Sequence, residues 1–146
     1  MEPNIQRTLI QPISIWLFVL CVLVLMMVVI GGATRVTHSG LSIVEWRPFL
    51  GWLPPLNAQD WQEAYTLYKT TPEFRQINMD LTLDGFKSIF WMEYVHRLWG
   101  RIIGVVFLIP FLYFICRGSL TYVLTFKLFT VFLLGCGQGV MGWYMV

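Results

Sequence analysis

The feature that most constrains this chain is an uncharged run of 20 residues, ISIWLFVLCVLVLMMVVIGG, from Ile13 to Gly32. At about 1.5 Å rise per residue, a helix of that length crosses the roughly 30 Å hydrocarbon core of a bilayer. A cleaved signal peptide fits poorly, because its apolar core covers about 7–15 residues and ends at a small-residue cleavage site. Segment 13–33 is therefore predicted to be a transmembrane helix, preceded by a short N-terminal stretch, 1–12. The composition agrees: 57% of the 146 residues are apolar and 12% charged, whereas a soluble domain carries about 25% charged residues. The net charge of +2 comes from scattered basic residues, which gives no footprint for nucleic acid.

Two further stretches are long and apolar. Segment 89–116 is unusual, because its first half holds Glu93, His96, Arg97 and Arg101, and only Ile102 to Cys116 is free of charge. Those fifteen residues are too few to span, so the charged turns belong within the membrane or at its edge. A tight connection, 117–120, leads to segment 121–146, where Lys127 near the start can snorkel to the interface. The expected fold is an all-α membrane protein with three transmembrane helices and a partly helical outer loop. Cys21, Cys116 and Cys136 lie in apolar runs and form no CxxC motif. They predict neither a disulfide framework nor a cysteine metal site, and are expected to be small packing residues.

Basic residues in the short flanks, Arg7 and Arg117 with Lys127 close behind, predict a cytoplasmic N-terminus and a cytoplasmic second connection. The segment 34–88 is then outside. It opens with turn-forming residues, among them Trp46, Pro48, Gly51, Pro54 and Pro55. Asn57 offers a cap with Asp60 three residues on, and Trp61, Ala64, Tyr65 and Tyr68 share one helical face. An amphipathic helix lying on the membrane surface is expected there. Thr71-Pro72 predicts a second short helix, and Thr82 a cap for a helix that continues into the second span.

The chemistry is concentrated in FWMEYVHRLWGRIIG, Phe90 to Gly104. At about 100° per residue, Glu93, His96, Arg97, Gly100, Arg101 and Gly104 fall in one stripe. Each charge at membrane depth costs about 2.5–3.5 kcal/mol even on the lenient insertion scale, so the cluster needs protein partners or a polar ligand. His96 suits haem iron as an axial ligand, and Arg97 and Arg101 suit anionic groups such as porphyrin propionates. Gly100 and Gly104 leave room for a flat macrocycle or a neighbouring helix. Glu93 suits a carboxylate base, proton conduit or nucleophile. Ordinary polar packing, with Glu93 and Arg97 paired at i, i+4, and a transport or proton pathway remain open beside haem ligation. His38, in the turn-like RVTHSG, reads as an interfacial polar residue. Gly135, Gly137, Gly139 and Gly142 predict close helix packing, with Gln138 able to hydrogen-bond across it.

Four ordered motifs carry a resemblance: GGATRVTHSGLSIVEW (Gly31 to Trp46), PPL (Pro54 to Leu56), FWMEYVHRLWGRIIG and GQGVMGWYMV (Gly137 to Val146). From about residue 14 onward the chain closely resembles the haem A synthase family, in the branch without a cysteine pair in the first outer loop. The resemblance implies two pseudo-repeated four-helix bundles that oxidise the methyl group of haem O, the substrate, to the formyl group of haem A for cytochrome oxidase. The three helices here would form part of the first, haem-binding bundle. By the same resemblance, Glu93, His96 and Arg97 match the Glu-x-x-His-Arg motif, with His96 an axial iron ligand and Glu93 an acidic residue implicated in the reaction. The partner histidine on a fourth span, and a haem b on two more histidines, fall in a C-terminal half that this chain lacks. It is therefore expected to be a truncated or split product with little or no activity alone. Its expected place is the bacterial inner (plasma) membrane, crossed several times. Expected partners are membrane lipid, haem O synthase, and the missing half or a second copy. The alternatives are a non-catalytic haem-binding or assembly subunit and an inactive remnant.

Overall fold

The computed structural model describes residues 3–45 and 52–145, with side chains described from residue 11 onward. The turn residues Trp46, Pro48 and Gly51 and the side chain of Arg7 lie outside these. The described residues form five helices and no strand: α1 (Pro3–Val36), α2 (Ala58–Tyr68), α3 (Pro72–Gln76), α4 (Leu83–Cys116) and α5 (Tyr122–Tyr144). Three segments, Gln11–Val36, Leu83–Cys116 and Tyr122–Tyr144, are long and apolar enough to cross a membrane. The chain is an all-α, multi-pass membrane protein.

Contacts divide the chain into two compact units, one of Met1–Met27 and Gly100–Gly142, the other of Val28–Trp99 and Trp143–Val146. The first is an apolar helix junction. Ile13, Trp16 and Leu20 recur on one face of α1, Phe107, Phe111 and Phe114 on one face of α4, and all are buried with Leu128 of α5. Trp16 sits with its ring centroid 5.7 Å from that of Phe107 and 5.5 Å from that of Phe114. The indole has a second task. Pro110 lies inside α4 and has no N–H to donate to the carbonyl four residues back, Val106. Trp16 Nε1 donates to that oxygen at 2.8 Å. A carbonyl orphaned by proline in an apolar setting is thus satisfied from the neighbouring helix, as spanning segments require.

Two expectations for this unit are corrected. No described atom lies within 4 Å of a Cβ built on Gly135, Gly137, Gly139 or Gly142, so no described helix packs on that glycine face. Within α5 only Leu128 is buried. Cys21, Cys116 and Cys136 are free and exposed rather than packed, since each stands on a helix face that no described segment covers.

The second unit is built around the first turns of α4 and the outer segment. Asn57 accepts a hydrogen bond from Asp60 N at 2.8 Å and starts α2. Thr71 caps α3, with Pro72 at its first position. Thr82 O accepts from Phe86 N at 2.8 Å as α4 begins. The apolar face of α2 is covered by protein. Tyr65 and Tyr68 are buried against Phe86 and Phe90 of α4, with Trp61, Ala64 and Phe74 packed beside them. The reason is that α4 starts at Leu83, so its first two turns present Phe86 and Phe90 to α2. Tyr65 OH donates to Leu81 O, and Asn78 Nδ2 donates to Tyr68 OH at 2.8 Å.

Candidate functional site

The site begins where α1 stops. His38 takes φ 49°, a left-handed conformation that favours glycine. Its N–H donates to Arg35 O at 3.2 Å and Ser39 N–H donates to Thr34 O at 3.0 Å, the paired bonds of a Schellman stop. The His38 ring is exposed. Ser39 and Thr34 are buried, and the Ser39 and Thr37 hydroxyls lie 2.7 Å apart. After this turn the chain passes across α4 at Ser42 and Ile43.

There it meets Glu93. The carboxylate is 2% exposed. Its Oε2 accepts from Ser42 N at 2.6 Å, Ser42 Oγ at 2.6 Å and Ile43 N at 2.8 Å. Its Oε1 accepts from Arg97 Nε at 2.8 Å and pairs with Arg97 Nη2 at 2.5 Å. Arg97 Nη2 also donates to Ile43 O at 2.9 Å. A carboxylate offers about four lone-pair sites, and all are engaged here. This explains how two charges are tolerated in an apolar helix: each is the other's partner, and the loop supplies the remaining donors and acceptor. The reacting-carboxylate role expected of Glu93 requires release of at least one of these donors.

His96 lies one turn beyond Glu93 and is partly buried. Among the described residues none hydrogen-bonds to its ring. The imidazole lies against Gly31 of α1, where a Cβ would come within 3.2 Å of Nε2. The missing side chain at position 31 is what makes space for the ring. The structure therefore brings together Glu93, His96 and Arg97, with Gly31, Ser42 and Ile43. Gly100, Arg101 and Gly104 continue the same helix but belong to the other unit. Arg101 is partly buried, a Cβ on Gly100 would meet Met27 Cε at 3.4 Å, and one on Gly104 would meet nothing within 4 Å.

Ser42, Ile43 and Gly31 were not singled out by sequence reasoning. The one signal for Ser42 is indirect: a glutamate in an apolar helix demands donors, and a small hydroxyl residue in the adjoining loop can supply them. The Ile43 contacts use backbone atoms and leave no mark on residue type.

Among the described residues no group of three or more His, Cys, Asp or Glu side chains comes together to cage a metal ion. A porphyrin brings its own four equatorial nitrogens and asks the protein for axial ligands. One uncommitted imidazole beside a glycine cradle fits that demand.

Residues 14–146 match the COX15-CtaA family, described as cytochrome oxidase assembly protein. The chain belongs to this family. It is 55% identical over 136 residues to the protein named heme A synthase of Nitrosospira multiformis, covering 93% of this chain and 38% of that one. The heme A synthases of Nitrosomonas eutropha and Paramagnetospirillum magneticum are 53% and 52% identical, with the same coverage. This COX15-CtaA family member thus spans about 38% of the length of those relatives. No solved structure matches it.

Proposed function

We propose that this chain is the substrate-haem portion of a haem A synthase, the oxidoreductase that converts the methyl group of haem O to the formyl group of haem A for cytochrome c oxidase biogenesis. The observation that carries this reading is the 55% identity, over 93% of the chain, to a protein named heme A synthase. The availability of His96 agrees with it. His96 would hold the substrate's iron, its imidazole seated in space that the missing side chain of Gly31 provides. Arg97 spends Nε and Nη2 on Glu93 and Ile43, which leaves Nη1 to face a propionate. By helical periodicity Gly100, Arg101 and Gly104 fall in the same stripe of α4. The haem iron supplies the oxidising chemistry, and the protein's part is to hold and orient the macrocycle.

By the family resemblance, a second histidine and a haem b would lie in the part of the relatives that this chain does not match, and haem O synthase would deliver the substrate. The proposed setting is a bacterial plasma membrane, with the N-terminus cytoplasmic and the Glu93 end of α4 outside, supported by Arg7 and Arg117 in the short flanks.

The test is a reduced-minus-oxidised spectrum of the purified chain in lipid nanodiscs after titration with haem, for wild type and His96→Ala. A histidine-ligated haem that disappears in His96→Ala is the expected result. No haem uptake by wild type, or an unchanged spectrum in the variant, overturns the proposal. Haem O supplied with a reductant and oxygen then separates enzyme from carrier, since haem A appears only in the first case.

A further inference from the structure

The Glu93 carboxylate is engaged on both oxygens by the loop and by Arg97, and the loop residue that contributes most is Ser42. Its amide and its hydroxyl both donate to Oε2, at 2.6 Å each, and the side chain is itself buried, with 3% exposure. The hydroxyl has one proton. The alternative acceptor, Ile89 O, lies at 3.4 Å, so the ionised carboxylate at 2.6 Å takes it. Without that hydroxyl, Oε2 keeps the backbone donors of Ser42 and Ile43, and the loop loses its one side-chain donor to Glu93 while keeping the bond from Arg97 Nη2 to Ile43 O.

We propose that Ser42 is a positioning residue: it fixes the Glu93–Arg97 pair against the loop and, through that pair, sets the turn of α4 that presents His96. The consequence for haem rests on the proposed function, but the hold on Glu93 does not.

The experiment compares Ser42→Ala, Ser42→Thr, Glu93→Gln and the double variant Ser42→Ala/Glu93→Gln in the nanodisc-embedded chain. Amide hydrogen exchange at Ile43 is measured without haem, with the Tyr68 and Phe86 amides as controls for global opening. A hydrogen bond to a charged group is worth about tenfold or more in an opening equilibrium. Ser42→Ala is expected to speed Ile43 exchange about tenfold, and Ser42→Thr, which keeps the hydroxyl, to stay near wild type. The double variant is expected to be no faster than Glu93→Gln alone, because both changes break one interaction. Wild-type exchange in Ser42→Ala, or penalties that multiply in the double variant, overturns the proposal. Should Ser42→Ala unfold the whole unit, the isosteric pair Ser42→Thr and Ser42→Val carries the same comparison.

Haem titration of the same set is the second readout. Ser42→Ala is expected to weaken haem binding about tenfold, and Ser42→Thr to restore it. Unchanged affinity alongside faster exchange overturns the link to His96. If wild type takes up no haem, the proposed function fails while the exchange cycle still decides what Ser42 does.

Discussion

The two halves of α4 solve opposite problems with one helix. Its first half, in the unit of Val28–Trp99, buries a carboxylate and a guanidinium and satisfies both from a loop. Its second half, in the unit of Met1–Met27 and Gly100–Gly142, buries aromatic rings, and a prominent polar contact there is Trp16 Nε1 to the carbonyl that Pro110 leaves orphaned. The contrast teaches where specificity resides. Apart from the Trp16 bond, the aromatic junction is expected to tolerate apolar side chains of similar volume, because dispersion is not directional. The polar lock depends on particular donors at particular atoms, and its failure leaves charges stranded where neither water nor a substitute partner is at hand.

The sharpest break of this contrast is Glu93→Ala. It strands the Arg97 guanidinium and three loop donors at once, and removing one partner of a buried pair costs about 3–5 kcal/mol. Thermal unfolding followed by tryptophan fluorescence is expected to show that loss in Glu93→Ala, a comparable one in Arg97→Ala, and much less than the sum in the double variant. Losses below about 1 kcal/mol would show that the pair behaves as an exposed surface bridge.

The counterpart in the aromatic half is Trp16→Phe. It keeps most of the ring and removes one donor, so the expected loss is the roughly 1–3 kcal/mol of an unsatisfied buried carbonyl. Pro110→Ala supplies the missing N–H from within α4. In that background Trp16→Phe is expected to lose only its packing term, and an unchanged penalty would break the assignment.

The long apolar helices were legible because their signal is local: runs of Leu, Val, Ile and Phe whose length matches a bilayer. The caps at Asn57 and Thr71 were legible for the same reason, each being one side chain acting on backbone three residues away. The grouping of Glu93, His96 and Arg97 follows from helical periodicity alone. What periodicity does not carry is the partner across the chain. Ser42 and Ile43 are about 50 residues from Glu93, and most of their contacts use backbone atoms. The face of α2 illustrates the same limit. Trp61, Ala64, Tyr65 and Tyr68 read as amphipathic, but whether such a face meets lipid or protein depends on where α4 begins.

Gly31→Ala sharpens the comparison from the ligand side. Alanine favours a helix by about 1 kcal/mol over glycine, so stability of α1 is expected to hold or rise. The new Cβ, at 3.2 Å from His96 Nε2, must push the imidazole by a few tenths of an ångström. Haem affinity is therefore expected to fall several-fold while the unfolding temperature does not, a split that separates positioning from folding. Gly31→Val is expected to fall further. Parallel loss of stability and affinity would mean that Gly31 serves only helix packing.

The smallest expected effect concerns Tyr68, outside the membrane-spanning helices, and appears only in alkali. Burial raises its phenol pKa; the hydrogen bond from Asn78 opposes this, and the negative charges of Glu73 and Glu93 add to the rise. With the folded value above the unfolded one near 10, the neutral phenol's contribution is fully present below pH ~10 and is lost as pH climbs through the folded value. Tyr68→Phe removes the ionisable group but keeps the ring stacked on Phe86, whose centroid lies 5.2 Å away. The variant's unfolding temperature is expected to decline less between pH 9 and 11 than that of wild type. Parallel declines would assign the alkaline loss to other groups, and would leave the Tyr68 hydroxyl as a partner of Asn78 with no linkage of its own.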